Sequence, residues 1–184
     1  MLMLAQKNRG SIKGIEIEPD CYFQSLENIS KSPWPEKCSV VLGDVRTYPF
    51  NESFDLIISN PPFYENQLEA EEEKRNMAKH STHLALTELF YAVNTLISQH
   101  GKFGLLLPYS RIEESIKIAE KSSLYCTEKL RIKQTAHHDY FRVILQFERD
   151  GIQVPKTIDL TIREDDGNYS HFFTELLKDY YLYL

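Results

Sequence analysis

The sequence predicts an α/β fold, a doubly wound and mostly parallel sheet that ends in antiparallel strands. Three observations carry this expectation. Apolar runs of strand length alternate with helical periodicity as far as about residue 121. Two further runs, 124–135 and 141–147, follow each other across a short connection, the spacing of an antiparallel pair. The run Phe54-Asp55-Leu56-Ile57-Ile58-Ser59 passes directly into Asn60-Pro61-Pro62-Phe63, which sets polar chemistry at a strand's carboxyl end, where open α/β sheets bind ligands.

Taken in order, residues 1–8 read as the last turns of a helix, closed by Gly10. A strand is expected over 12–18. Pro19 then opens a helix with Tyr22, Phe23, Leu26 and Ile29 on one face, stopped near Pro33 and Pro35. Ser39-Val40-Val41-Leu42 is the next strand and ends in Gly43-Asp44; residues 54–59 are the third, followed by a long polar excursion over 64–79. A helix is expected from about Thr82 to Gln99 with Gly101 just past it. Phe103-Gly104-Leu105-Leu106-Leu107 before Pro108 reads as a fully buried strand. Ser110 and Glu113 have capping-box spacing for a helix to about Lys121. The alternating run 157–163 is expected as an edge hairpin partner, and residues 170–181 as a closing helix over Phe172, Phe173, Leu176, Leu177 and Tyr180.

With 184 residues, 42% of them hydrophobic, the chain is long enough for one domain with a real core, expected over 1–184. Cys21, Cys38 and Cys126 stand far apart with no C-x-x-C pair, which indicates neither a zinc site nor a disulfide framework and fits a reducing cytoplasm. The N-terminal residues lack a basic region and a cleavage site, so they are not a signal peptide, and no run approaches the ~18 apolar residues of a membrane span. A net charge of −6 argues against a general nucleic-acid coat but leaves room for a local basic face. Two groups qualify: Lys74, Arg75 and Lys79 with His80, and Lys129, Arg131 and Lys133 with Arg142 nearby. Charge runs are more often plain solvated surface. No metal is expected, because His80 and His83 lack a carboxylate at ligand spacing and His137-His138 are adjacent.

In Asn60-Pro61-Pro62-Phe63 two prolines fix φ, remove two N–H donors and bar a helix from starting. An amine in the plane of a flat ring could donate to the Asn60 carboxamide oxygen and the Pro61 carbonyl while Phe63 stacks on the ring, as a flipped nucleobase is held. The bland alternative is a strand-ending turn, since Asn-Pro often starts one. Glu16, Asp44 and Asn60 end three successive strands. A carboxylate so placed can accept from ribose hydroxyls, and a second one from an adenine amine.

This arrangement resembles class I S-adenosylmethionine-dependent methyltransferases, which are Rossmann-like, and Asn-Pro-Pro-Phe resembles their amino-methylating branch. Ser59 to Glu65, the charged loop to His80, the Leu105-Leu106-Leu107-Pro108 strand, Asn168-Tyr169-Ser170 and the aromatic tail ending Tyr180-Tyr181-Leu182-Tyr183-Leu184 look like the bacterial tRNA1(Val) adenine-37 N6-methyltransferase family. The resemblance runs from about Leu2 to the C-terminus. It implies S-adenosylmethionine as cofactor, tRNA as partner, no metal and no membrane. Residue by residue, it implies that Glu16 binds the cofactor ribose, that Asp44 and Val45 bind its adenine, with Asn60 also beside the cofactor, and that Asn60, Pro61, Pro62 and Phe63 hold the target adenine. Lys74, Arg75, Lys79, Lys129, Arg131 and Lys133 are the expected RNA contacts. The chain departs from the family in having no opening strand with a D-x-G-x-G-type loop; Gly10 and Gly14 do not supply one. In the usual order that strand lies between the strands of Ile15 and Leu56, so the fold is expected to need a missing piece, a swapped partner or direct pairing of those two strands. Two alternatives stay open: a protein glutamine N-methyltransferase, because an amide presents similar planar N–H groups, and a truncated, catalytically silent fragment that binds RNA or a partner.

Overall fold

The computed structural model describes residues 1–7, 10–61, 84–151 and 154–181, and in it the chain divides into two units, Met1–Phe50 and Asn51–Leu184. Pro62, Phe63, Lys74, Arg75, Lys79, His80 and His83 lie outside the described residues, as does the polar excursion over 64–79.

The first unit is a parallel β-α-β crossover preceded by a short helix: α1 (Leu2–Lys7), β1 (Ile12–Glu16), α2 (Pro19–Ser30) and β2 (Cys38–Leu42). The two strands pair in register from Ile12 opposite Cys38 to Glu16 opposite Leu42. Pro19 starts α2 behind an extended Glu18, as its fixed φ and missing donor favour. β1 is shorter than expected because the Glu16 carboxylate accepts the Glu18 N–H at 2.9 Å and curls the chain out of the strand. Ala5, Ile29 and Cys38 are buried, with Leu2, Ile12, Trp34 and Val40 packed on them.

The second unit contains β3 (Phe54–Ser59), α3 (Leu86–Leu96), β4 (Ile97–Pro108), α4 (Ile112–Lys121), β5 (Tyr125–Lys133), β6 (Tyr140–Glu148), β7 (Lys156–Thr161) and α5 (His171–Leu177). Its sheet has the order β3-β4-β6-β5-β7. β3 and β4 are parallel, β6 is antiparallel to both β4 and β5, and β7 is parallel to β5. Among the described residues β1 and β3 belong to different sheets.

Three local expectations need correction. The helix expected to reach Gln99 stops at Leu96, and Ile97 already begins β4. Gly101 is therefore no helix cap but sits in a bulge, where an added Cβ would lie 2.8 Å from the Phe54 carbonyl oxygen. The run 157–163 forms no hairpin, because β6 already has a strand on each side and β7 finds the free edge of β5. Ser110 does not cap α4; it lies in a 3-10 turn (Tyr109–Arg111), and the N-cap residue Arg111 makes no side-chain cap bond. Ser170 does cap α5, its hydroxyl accepting the Phe173 N–H at 3.1 Å.

Register explains the core. Phe103 faces Phe147, Leu105 faces Leu145 and Leu107 faces Val143, and all six are fully buried on one side of the sheet against α3 and α4. Phe90 of α3 meets Phe103 and Phe147 edge-on at 5.5 and 5.1 Å. Leu56 and Ile58 of β3, on the opposite face, are 51% and 55% exposed.

Candidate functional site

In the first unit the candidate groups Glu16 and Asp44 stand at the last residue of β1 and just beyond the carboxyl end of β2. Gly43 N–H donates to the Glu16 carbonyl at 2.8 Å, which ties the turn after β2 to the end of β1. That turn needs glycine, because a Cβ on Gly43 would lie 2.7 Å from the Tyr48 ring. Glu16 keeps one carboxylate oxygen, Oε2, without a partner among the described residues. Asp44 is held more tightly. Its carboxylate accepts the backbone N–H of Arg46 at 2.9 Å, and the Arg46 Nε lies 2.9 and 2.8 Å from its two oxygens. This guanidinium contact holds the Asp44 carboxyl below its usual range, outweighing the opposing effect of burial. The Asp44 carbonyl accepts from Thr47 and Tyr48 N–H at 3.0 and 2.8 Å, so half-buried Val45 rides on a closed turn. The sequence reading placed Asp44 correctly at its strand end but missed Arg46, whose only signal is the i, i+2 spacing.

In the second unit β3 ends at Ser59, paired with fully buried Leu105 of β4. Asn60 follows, exposed and non-helical, and its carboxamide has no partner among the described residues; Pro61 behind it is buried. A buried proline fixes the exit direction of the chain while the amide faces solvent, the local arrangement expected of a rigid cradle.

The basic row on β5 behaves differently from a solvated charge run. Lys129, Arg131 and Lys133 alternate along the strand and so share one face. Arg131 lies opposite Asp159 of β7 and donates to it twice, at 2.7 and 2.8 Å. Its guanidinium sits 4.5 Å from the centre of the Tyr140 ring, with the Lys133 ammonium at 4.6 Å. Tyr140 in turn stacks on Tyr109 at 5.0 Å. Arg131 holds the Asp159 carboxyl low, and burial together with Asp159 pushes the Tyr140 phenol up. A cavity of about 370 Å³ lies beside this group, lined by Tyr109, Ser110, Glu113, Lys129, Arg131 and Thr157 among others. Arg142 is not part of it: Ile132, one residue out of phase with Arg131, is its register partner. Tyr109, Tyr140 and Asp159 were not singled out from sequence, because only the insertion of β6 between β4 and β5 brings them together.

Among the described residues no group of three His, Cys, Asp or Glu is placed to hold a metal, and no helix is long and apolar enough to cross a membrane. His138 Nδ1 is 2.7 Å from the Thr135 hydroxyl, and His137 is 3.3 Å from Asp165.

Residues 9–143 match the family of Eco57I restriction-modification methylases. Over its full length the chain is 32% identical to a tRNA1(Val) (adenine(37)-N6)-methyltransferase of a Shewanella species, of which it covers 79%. A protein of the same name from Christiangramia forsetii is 34% identical, again over the whole chain and 78% of the relative. A solved structure, described as a predicted O-methyltransferase from Agrobacterium tumefaciens, superposes with a TM-score of 0.70 over 96% of this chain and 82% of that one, at 13% identity. A glycopeptide N-methyltransferase complexed with S-adenosylmethionine follows at a TM-score of 0.55 and 11% identity, over 77% of this chain and 73% of that one. The fold is thus the Rossmann-like one of S-adenosylmethionine-dependent methyltransferases, and by sequence the chain belongs to the tRNA1(Val) (adenine(37)-N6)-methyltransferase family.

Proposed function

We propose that the chain transfers a methyl group from S-adenosylmethionine to the exocyclic N6 amine of an adenine in tRNA, position 37 of a valine tRNA, and that it does so in the cytoplasm. The observation that carries the reading is Asn60: an exposed carboxamide without a partner among the described residues, at the end of a strand paired in parallel with β4 and followed by buried Pro61. Identity across the full chain to enzymes of that name supports it.

The acceptor groups of the first unit fit the cofactor. Glu16 Oε2 is available to a ribose hydroxyl, and ionised Asp44 is an acceptor for an adenine amine, with Val45 beside it. When bound, S-adenosylmethionine supplies an electrophilic methyl on a sulfonium. The remainder falls to the protein. An adenine amine is a poor nucleophile because its lone pair is delocalised into the ring. Accepting its two hydrogens on Asn60 Oδ1 and the Pro61 carbonyl orients the nitrogen and favours a pyramidal geometry. Positive charge grows on that nitrogen in the transition state, where the same two oxygens act most strongly. The proton then leaves to water, and no general base is required at the outset. Pro62 and Phe63 complete the tetrapeptide in this reading, Phe63 by stacking on the base. Lys74, Arg75, Lys79, Lys129, Arg131 and Lys133 take the RNA backbone.

The test is transfer from labelled S-adenosylmethionine to an unmodified valine tRNA transcript, with nucleoside analysis of the product. N6-methyladenosine is the expected product. Label appearing on protein glutamine instead of RNA overturns the reading.

A further inference from the structure

We infer that the cleft between the β4–α4 junction and β5 holds a second, unpaired nucleotide of the RNA substrate, its phosphate on Lys129 and Arg131 and its base against Tyr109; this rests on the RNA reading above. The cavity, about 370 Å³, has room for a single nucleotide and lies within the second unit. Its lining is mixed in a way that suits one. Tyr109 offers an aromatic wall already held in place by stacking on Tyr140 at 5.0 Å, so little side-chain freedom is lost on binding. Arg131 is equally preorganised: Asp159 takes two of its five N–H donors, the Tyr109 hydroxyl accepts from it as well, Tyr140 supports the guanidinium plane at 4.5 Å, and donors remain for a phosphate oxygen. Lys129 adds a point charge two residues along the same strand face. Glu113 on the rim decides against a featureless anionic groove. Its carboxylate repels phosphate, which confines the phosphate to the Lys129–Arg131 side, and it can accept an N–H from a base edge. Asp159 is then a positioning residue, which sets the guanidinium rather than touching RNA.

The experiment uses the full chain and an unmodified valine tRNA transcript, measuring steady-state methyl transfer and the salt dependence of binding. For Lys129→Ala the expected result is a KM for tRNA raised about fivefold or more with kcat within about twofold, and a log–log salt slope smaller by about 0.7–1. Tyr109→Ala is expected to weaken tRNA binding about tenfold and Tyr109→Phe to recover most of that loss, because the ring stacks on the base while the hydroxyl serves only Arg131. Affinity for S-adenosylmethionine, measured by calorimetry, stays at the wild-type value in all three, which separates this effect from misfolding. Wild-type KM and salt slope in both Lys129→Ala and Tyr109→Ala overturn the inference while leaving the methyltransferase reading intact. A wild-type chain that binds cofactor yet neither binds nor methylates tRNA overturns that reading instead, and the inference with it.

Discussion

Among the described residues, three, Ala5, Ile29 and Cys38, form the buried apolar cluster of the first unit, whereas fifteen form that of the second, among them the stacked and edge-on trio Phe90, Phe103 and Phe147. A two-stranded sheet with so small a core is marginal by itself. The proposed cofactor contacts Glu16 and Asp44 thus stand on the lightly built unit, and the proposed amine acceptor Asn60 leaves a strand anchored in the heavily built one. The division separates what can give from what must stay put. A group that stabilises charge in a transition state needs a fixed position, whereas a scaffold that binds a ligand can draw part of its order from that ligand.

The comparison is broken most severely by emptying the large core. Phe90→Ala removes the ring common to both edge-on contacts and is expected to cost about 3–5 kcal/mol, read as a shift of the urea midpoint without a change of slope. Asn60→Ala should leave that midpoint nearly unchanged and lower turnover by roughly 10²- to 10³-fold, with cofactor affinity almost unaltered. Loss of cofactor binding in Asn60→Ala but not in Asp44→Ala would show that the two groups have been assigned to the wrong partners. S-adenosylmethionine at a hundred times its Kd should raise hydrogen-exchange protection of β1 and β2 by up to about 2.7 kcal/mol and that of β4 and β6 by less. Equal gains in both units would erase the distinction. The smallest effect concerns pH. Arg46 holds the Asp44 carboxyl below its ordinary value of 3.8, so the stability it contributes is fully present above that pH and is lost as the pH falls through the lower, folded-state value. The stability difference between wild type and Asp44→Asn should accordingly be flat above about pH 5 and shrink in more acidic solution.

Much of this was legible in the sequence, for reasons local to particular residues. Pro19 marks the start of α2, the apolar run 54–59 marks β3, and the polar groups that close β1, β2 and β3 are consecutive in the pattern of strand ends. The junction at Leu96–Ile97 was not legible, since Ile97 continues the apolar spacing of α3 and only the Phe54 backbone against Gly101 reveals a strand there. Nor was the partner of β7, because its alternation states which face is buried but not which edge is free. Tyr109 and Tyr140 are thirty-one positions apart, and their stacking depends on a strand order that periodicity does not encode. Arg46 was missed for the opposite reason: it is so close to Asp44 that it reads as turn filler.

The bulge between β3 and β4 has a bearing on how this fold varies in length. From Phe54 to Leu56 the third strand advances two residues, while its partner advances five, from Ile97 to Lys102, before regular pairing resumes through Ser59 opposite Leu105. The surplus chain is taken up at the end of the sheet far from Asn60, around exposed Gln99 and His100, with Gly101 as the pin. It works as a slip joint: a residue gained or lost at 99–100 would change the size of the bulge and leave the pairing beyond Leu56, and with it the amide at the tip of β3, as it is.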